Sequence, residues 1–342
     1  MLPNPARRLR DAVPLLGKTR RGVVLSGVSG AWLMTYLAFE IEAEDTRNAV
    51  LDRLGLGWSL VLAAGATAGL GVCAVALNDV LDRRQDRVMG RAGGGHATAV
   101  ASGRVSVRTA VAVAMGALLL ALFSAGGLGP TSLQLAVLLG AGLLFYNLLG
   151  RFLTAVRVVT LGVLHGLALA LPNPSAVFVW PVLLTMTHVM ACELLRHGIW
   201  GKRPRLRGRD VAGVLVGWAF WSLLVLVLMG ARRETMGVAS GGAIGRWVWV
   251  GPTLGVVAFG AVMGVIWRNR ARRFLNQTHG PAAGGERFYH LTISWLMIYD
   301  IGWLWSLGLW WQGGSVMGLL ALAWLPVGVQ RQPPEVGPGI YR

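Results

Sequence analysis

Ten apolar stretches divided by short polar loops leave this chain little choice but a bundle of membrane-crossing helices. They run at about 22–39, 56–77, 109–128, 131–149, 155–171, 176–195, 211–230, 247–267 and 289–311, with a shorter one at 315–329. About 20 apolar residues cross a bilayer as a helix. The last two stretches hold about 41 residues together, roughly 60 Å of helix at 1.5 Å per residue and so two crossings. The pattern predicts an all-α polytopic membrane protein of nine spans and a short tenth. Charged residues make up only 14% of the chain, against roughly 25% in a soluble domain. The 48 glycines and 15 tryptophans suit close helix contacts and interface anchoring, and Gly65 and Gly69 form one small-xxx-small pair.

A net charge of +17 does not mark a nucleic-acid binder here, because the basic residues fall in short loops between apolar stretches. With the N-terminus inside, 25 of the 32 Lys and Arg lie on the inner side, 5 on the outer side and 2 in the C-terminal tail. That asymmetry predicts an integral protein of the cell membrane with a cytoplasmic N-terminus. The expected organisation is a basic tail at 1–21, a transmembrane domain at 22–329 and a flexible tail at 330–342. The basic start leads into a stretch long enough to stay as a first helix, not a cleaved signal. The acidic run Glu40, Glu42, Glu44, Asp45 and Asp52 reads as a solvated outer loop. Cys73 and Cys192 sit inside apolar stretches and read as packing residues. There is no soluble domain, glycine-rich nucleotide loop or Ser-His-Asp arrangement.

The chemistry concentrates at 78–91, where the second apolar stretch meets the inner face. Asp79, Asp82 and Asp86 stand at i, i+3 and i+7, one face of a helix. The whole chain has only 15 Asp and Glu, so three on one face need a reason. One is a divalent metal: Mg²⁺ takes a few carboxylates, keeps waters and fills its other positions with phosphate oxygens. Arg83, Arg84, Arg87 and Arg91 in the same segment suit those oxygens. The other is a salt-bridged, solvated helix end. The apolar context favours the metal.

The run Asn78-Asp79-x-x-Asp82-x-x-x-Asp86 resembles the first aspartate motif of the UbiA superfamily of intramembrane prenyltransferases. Ser102-Gly103-Arg104-Val105-Ser106 is similar to a short segment preceding the third helix of that family. The resemblance implies nine helices around a central cavity and Mg²⁺ held by two aspartate motifs, after helices two and six. It implies an isoprenyl diphosphate donor, whose allylic carbon becomes cation-like as the diphosphate leaves and an acceptor attacks. On that basis Asp79, Asp82, Asp86 and Glu193 are the expected metal ligands, with Asp79, Asp82, Glu193 and Tyr146 in the catalytic set. Asn78, Arg83, Arg87, Arg91 and Arg104 are the expected diphosphate contacts. The Asp-Gly-x-x-Ala-Arg start of CDP-alcohol phosphotransferases is absent.

The chain also departs from the family. Where the second motif belongs it reads Ala191-Cys192-Glu193-Leu194-Leu195-Arg196-His197-Gly198, with one acid; the next, Asp210, lies across a basic loop. The family's Tyr-x-x-x-Lys would start at Tyr146, but Gly150 and Arg151 follow. His165 reads as the replacement for an arginine often found in helix five. This resembles the divergent, EboC-like branch and implies one strong metal site rather than two equal ones.

Glu193 reads as a second-site ligand or as a glutamate paired with Arg196 or His197. His165 and His188 either line an acceptor cavity or are satisfied by a neighbouring helix. Asp300, inside an apolar stretch, needs a partner, with an Arg or Trp of another helix expected. Trp303, Trp305, Trp310 and Trp311 read as interface belt or packing. Lys202, Arg203, Arg205, Arg207 and Arg209 form a basic loop suited to diphosphate or to anionic lipid. The acceptor, lipid-soluble or polar, is open among aromatic acids, quinone precursors, sugar alcohols and lipids, and the donor chain length is open too. The rivals are a non-catalytic transport or lipid-binding descendant of the fold, and a terpene cyclase.

Overall fold

The computed structural model describes residues 18–40, 49–84, 86–87, 98–148, 150, 152–176, 178–200, 206–235, 246–273 and 281–325. Among these the chain forms ten α-helices and a short 3₁₀ turn at Arg246–Trp249, with no strand. The helices are α1 Lys18–Glu40, α2 Ala49–Leu81, α3 Val107–Leu128, α4 Pro130–Leu148 and α5 Thr154–Ala170, then α6 Trp180–Trp200, α7 Gly208–Thr235, α8 Val250–Arg273, α9 Pro281–Ser306 and α10 Trp310–Trp324. Six are long and apolar enough to cross a membrane: α1, α2, α3, α4, α7 and α8. The protein is an all-helical integral membrane protein, as its apolar stretches predict.

Boundaries differ from the sequence reading where glycine intervenes. The last two stretches divide at 307–309 rather than 312–314, because Gly308 takes φ +77°, a left-handed conformation that ends α9. Gly55, at φ 69°, kinks α2 near the predicted start of its apolar stretch. The first helix begins at Lys18, so Arg20 and Arg21 are helical residues and not part of a tail. The tail at 330–342 and most of the acidic loop lie outside the described residues.

The 15 residues of α10 make only about 22 Å of helix. It nevertheless runs alongside α1. Tyr36 Oη and Ser315 Oγ are 3.3 Å apart towards one end, and Arg21 donates to the Leu325 carbonyl at 2.7 Å near the other. The tenth helix thus returns the chain to the end of the bundle where α1 begins.

Helix packing closes a ring in the order α1, α2, α4, α5, α6, α9 and back to α1. α3, α7, α8 and α10 pack outside it, and α1 also crosses to α5. Gly30 permits that crossing, because a Cβ there would sit 2.6 Å from Leu169 Cγ. Leu169 is near the end of α5 and Arg20 near the start of α1. The contact therefore closes the ring about 15 Å, ten helical residues, below Arg20. Buried Leu33, Met34, Leu37, Leu169, Met297 and Leu304 pack in the largest apolar cluster. Buried Trp303 meets Phe178 edge-on at 5.2 Å, whereas Trp310 and Trp311 are exposed, which splits the tryptophan group between core and surface. α7 and α8 show apolar side chains such as Val216, Phe220, Leu223 and Val257 to the outside, as lipid-facing helices do.

The small-xxx-small pair is the seam between α2 and α3. A Cβ on Gly69 would stand 2.5 Å from the Ala117 carbonyl oxygen, and one on Gly65 would stand 2.6 Å from Ser124 Oγ. Backbone cannot move aside as a hydroxyl can. Gly69→Val should therefore destabilise the protein by about 1–3 kcal/mol through overpacking, and Gly65→Ala by less. Melting midpoints in detergent measure both, and equal midpoints would contradict the tight seam.

Candidate functional site

The last turn of α2 carries the acids. Beyond it the chain bends at Asp82, yet the helical spacing persists: Asp82 N donates to Asn78 O and Asp86 N to Asp82 O, each at 2.9 Å. The three carboxylates keep one face and are not splayed into water, since Asp79 is buried and Asp82 and Asp86 are half-buried. Burial raises the Asp86 pKa above the usual carboxylate value; a hydrogen bond with Thr98 opposes this, Asp82 adds to it and Arg20 offsets it.

Asp79 has a partner that the sequence did not suggest. Both guanidinium nitrogens Nη1 and Nη2 of Arg20 donate to its two carboxylate oxygens, a fork across α1 and α2. The Ser102–Ser106 segment forms a turn beneath the motif. Gly103 has φ +78°, and Ser106 caps α3 by accepting from Thr109 N at 3.0 Å. Val105 and Val100 are buried against Val80 of α2. Arg87 donates to the Ala101 carbonyl at 3.0 Å and Arg104 to Ser102 Oγ at 3.2 Å, so both arginines brace this turn. Asn78 and Arg83 are half-buried beside the acids. Arg91, Arg151, Lys202, Arg203 and Arg205 lie outside the described residues.

The facing wall comes from α4, α5, α6 and α9. Glu193 is 2% exposed. Its carboxylate lies 3.4 Å from Arg196 Nη1 and 3.7 Å from His197 Nε2, the structural partners anticipated for it. Arg157 donates Nε–H to Tyr146 Oη at 3.3 Å, with its guanidinium 5.2 Å from the Tyr146 ring centre. Arg196 lies 4.8 Å over the Tyr289 ring. Arg157 also lies within electrostatic range of Glu193 and Asp82. A narrow cavity lined by Glu193, Cys192, Val189, His188, Tyr289 and Thr292 among others runs down α6 and α9, with room for about one water.

The structure adds to the reading of helix five and corrects that of Asp300. Helix five carries an arginine of its own, Arg157, two turns before His165. An arginine two residues inside an apolar boundary reads as loop charge, and position 157 is counted that way. His165 Nδ1 instead bonds the Leu161 carbonyl of its own helix at 2.9 Å. Among the described residues Asp300 is partnered not by Arg or Trp but by Ser29 of α1, whose hydroxyl donates to its carboxylate. A lone serine in an apolar helix gives no signal of such a role. Asp210 receives the Arg207 N–H at 2.8 Å and caps α7.

His188 is held by the neighbouring helix. A carbonyl only accepts, so Nε2 donates to Thr292 O at 2.9 Å, which leaves Nδ1 to accept from Tyr299 Oη at 3.1 Å. Cys73 and Cys192 are both buried free thiols.

Among the described residues no group of three or more His, Cys, Asp or Glu side chains stands ready to hold a metal ion. The donors present are hard carboxylate oxygens with arginines between them. That set suits Mg²⁺ held by one or two carboxylates and completed by phosphate oxygens, not an all-protein cage.

No family model matches the sequence, and no curated protein matches it. Two solved structures share its fold. One is reported in work on digeranylgeranylglyceryl phosphate synthase in membranes: TM-score 0.52, 15% identity, covering 88% of this chain and 99% of that one. The other is the apo structure of a UbiA homolog from Aeropyrum pernix K1: TM-score 0.53, 17% identity, covering 82% of this chain and 96% of that one.

Proposed function

We propose that this protein, which has the UbiA fold, is a membrane prenyltransferase that moves an isoprenyl group from its diphosphate to an acceptor. The observation that carries the reading is the row of buried and half-buried carboxylates Asp79, Asp82 and Asp86, with the Arg20 guanidinium forked onto the first of them. A site that grips a diphosphate needs carboxylates for a divalent cation and guanidinium groups for the remaining oxygens. This one has both at the rim of an apolar ring.

In the reaction the allylic C1–O bond breaks, the diphosphate leaves with the electron pair, and the acceptor atom bonds to C1 and loses its proton. Asp82 and Asp86 would hold Mg²⁺, which would draw negative charge onto the leaving diphosphate. Arg83 and Arg157 bind diphosphate oxygens, with charge-assisted hydrogen bonds worth roughly twice a neutral one. Tyr146 positions Arg157 by accepting its Nε–H. Glu193, held by Arg196, gives Arg157 a nearby counter-charge. The cytoplasmic orientation of this rim is part of the proposal and follows from loop charge.

A non-catalytic descendant of the fold is the second reading, because Asp79 and Glu193 both carry arginine partners. Purified protein in nanodiscs with labelled geranylgeranyl diphosphate, Mg²⁺ and a membrane lipid extract separates the possibilities. Transfer gives a labelled product whose mass is the acceptor's plus the isoprenyl group's, less a proton. A labelled hydrocarbon would mean cyclisation. Unchanged donor, also with farnesyl diphosphate, would favour the non-catalytic reading.

A further inference from the structure

We infer that Arg20 is a further residue of the diphosphate site and acts as a latch on Asp79; the inference rests on the reading of this rim as a diphosphate site. Arg20 is the first apparent exception to a solvated basic tail. It sits in the first turn of α1 and forks both nitrogens onto both oxygens of Asp79, 59 residues away. Asp79 is 1% exposed while the Arg20 side chain is 22% exposed. The buried partner is fixed and the cation reaches it from the open side.

The guanidinium is also within electrostatic range of Asp86. Its fork occupies both oxygens of a carboxylate that a bound cation would need. Both Asp79 oxygens are engaged, so Asp79 can ligate a metal only when Arg20 lets go. A buried carboxylate is not left without a counter-charge, so release requires the metal to arrive. A released guanidinium needs a new anion in turn, and the nearest that the reaction supplies is the diphosphate. Its forked donors match phosphate oxygens as well as they match a carboxylate.

The consequence is coupled binding. A divalent cation alone competes with Arg20 for Asp79 and binds weakly. With pyrophosphate present, Arg20 passes to the phosphate oxygens and Asp79 to the metal, so each ligand tightens the other. Arg20 binds and positions; it transfers no atom.

The test uses Mn²⁺ and inorganic pyrophosphate with full-length protein in detergent. Free Mn²⁺ is read by electron paramagnetic resonance and pyrophosphate by calorimetry. In Arg20→Gln, Mn²⁺ alone should bind at least about fivefold tighter, pyrophosphate with Mn²⁺ at least about fivefold weaker, and their mutual enhancement should shrink. Arg20→Lys keeps the charge but not the fork; it should move both affinities in the same directions by less, and it carries the test if the glutamine variant does not fold. Near-ultraviolet dichroism of the tryptophans reports folding. Unchanged or weaker Mn²⁺ binding, or unchanged pyrophosphate binding, in folded variants overturns the latch alone. A wild-type protein that binds no Mn²⁺–pyrophosphate overturns the diphosphate reading, and the latch with it.

Discussion

Asp82→Asn protein should insert and melt as the wild type does, yet release diphosphate from an allylic donor about 10²–10³-fold more slowly, the scale for losing one charge-stabilising group. Asp82 is singled out because it is the middle acid of the three, one turn after Asp79 and one turn before Asp86. It is half-buried at the bend after α2 and within range of Arg157. The substitution keeps the shape, removes the charge and exchanges one acceptor oxygen for an amide donor. Its loss should appear in kcat and weaken with rising Mg²⁺, as expected where a ligand has been lost. A melting midpoint that falls along with activity would make Asp82 a folding residue instead, and turnover within about twofold of wild type would remove it from the site. Stopped assays of released pyrophosphate and a melt in the same detergent decide this.

Arg157→Gln should be the second large effect, about 10²-fold in kcat/KM. The change removes a cation within electrostatic range of both Glu193 and Asp82, and it breaks the contact with Tyr146. Arg157→Lys should recover only part of the loss, since an ammonium cannot donate from a planar fork. Tyr146→Phe should cost less, about five- to tenfold, because it frees Arg157 without deleting it. Equal losses in Tyr146→Phe and Arg157→Gln would reverse the assignment and make the phenol the acting group. Initial rates at several donor concentrations separate the cases, because lost diphosphate binding raises KM whereas lost charge stabilisation lowers kcat.

Apolar periodicity carried most of the fold, because a bilayer allows a chain with ten such stretches little besides helices. The acids of α2 were legible for a related reason. Charge is scarce in this chain, so Asp79, Asp82 and Asp86 at helical spacing stand out. Pairing across helices was not legible. Arg20 and Arg157 lie next to loops whose basic residues serve orientation, and counting cannot separate a lysine or arginine that faces water from one that turns into the ring. Ser29 was equally hidden: a serine in an apolar helix commonly bonds its own backbone, as Thr35 does to the Ala31 carbonyl at 2.8 Å. The shift of the α9–α10 boundary depended on the backbone angle of one glycine, Gly308. Residues 88–97 and 201–205, which hold part of the predicted basic rim, lie outside the described residues.

The central claim is that the carboxylates at the open end of this ring grip an allylic diphosphate through a divalent cation. Its most direct measurement is pyrophosphate released by purified wild-type protein from geranyl, farnesyl and geranylgeranyl diphosphates, with Mg²⁺ and with chelator. The expected result is release from at least one donor that stops on chelation and is lost in Asp82→Asn. No release from any of the three by folded protein, together with pyrophosphate binding that ignores Mg²⁺, would contradict the account.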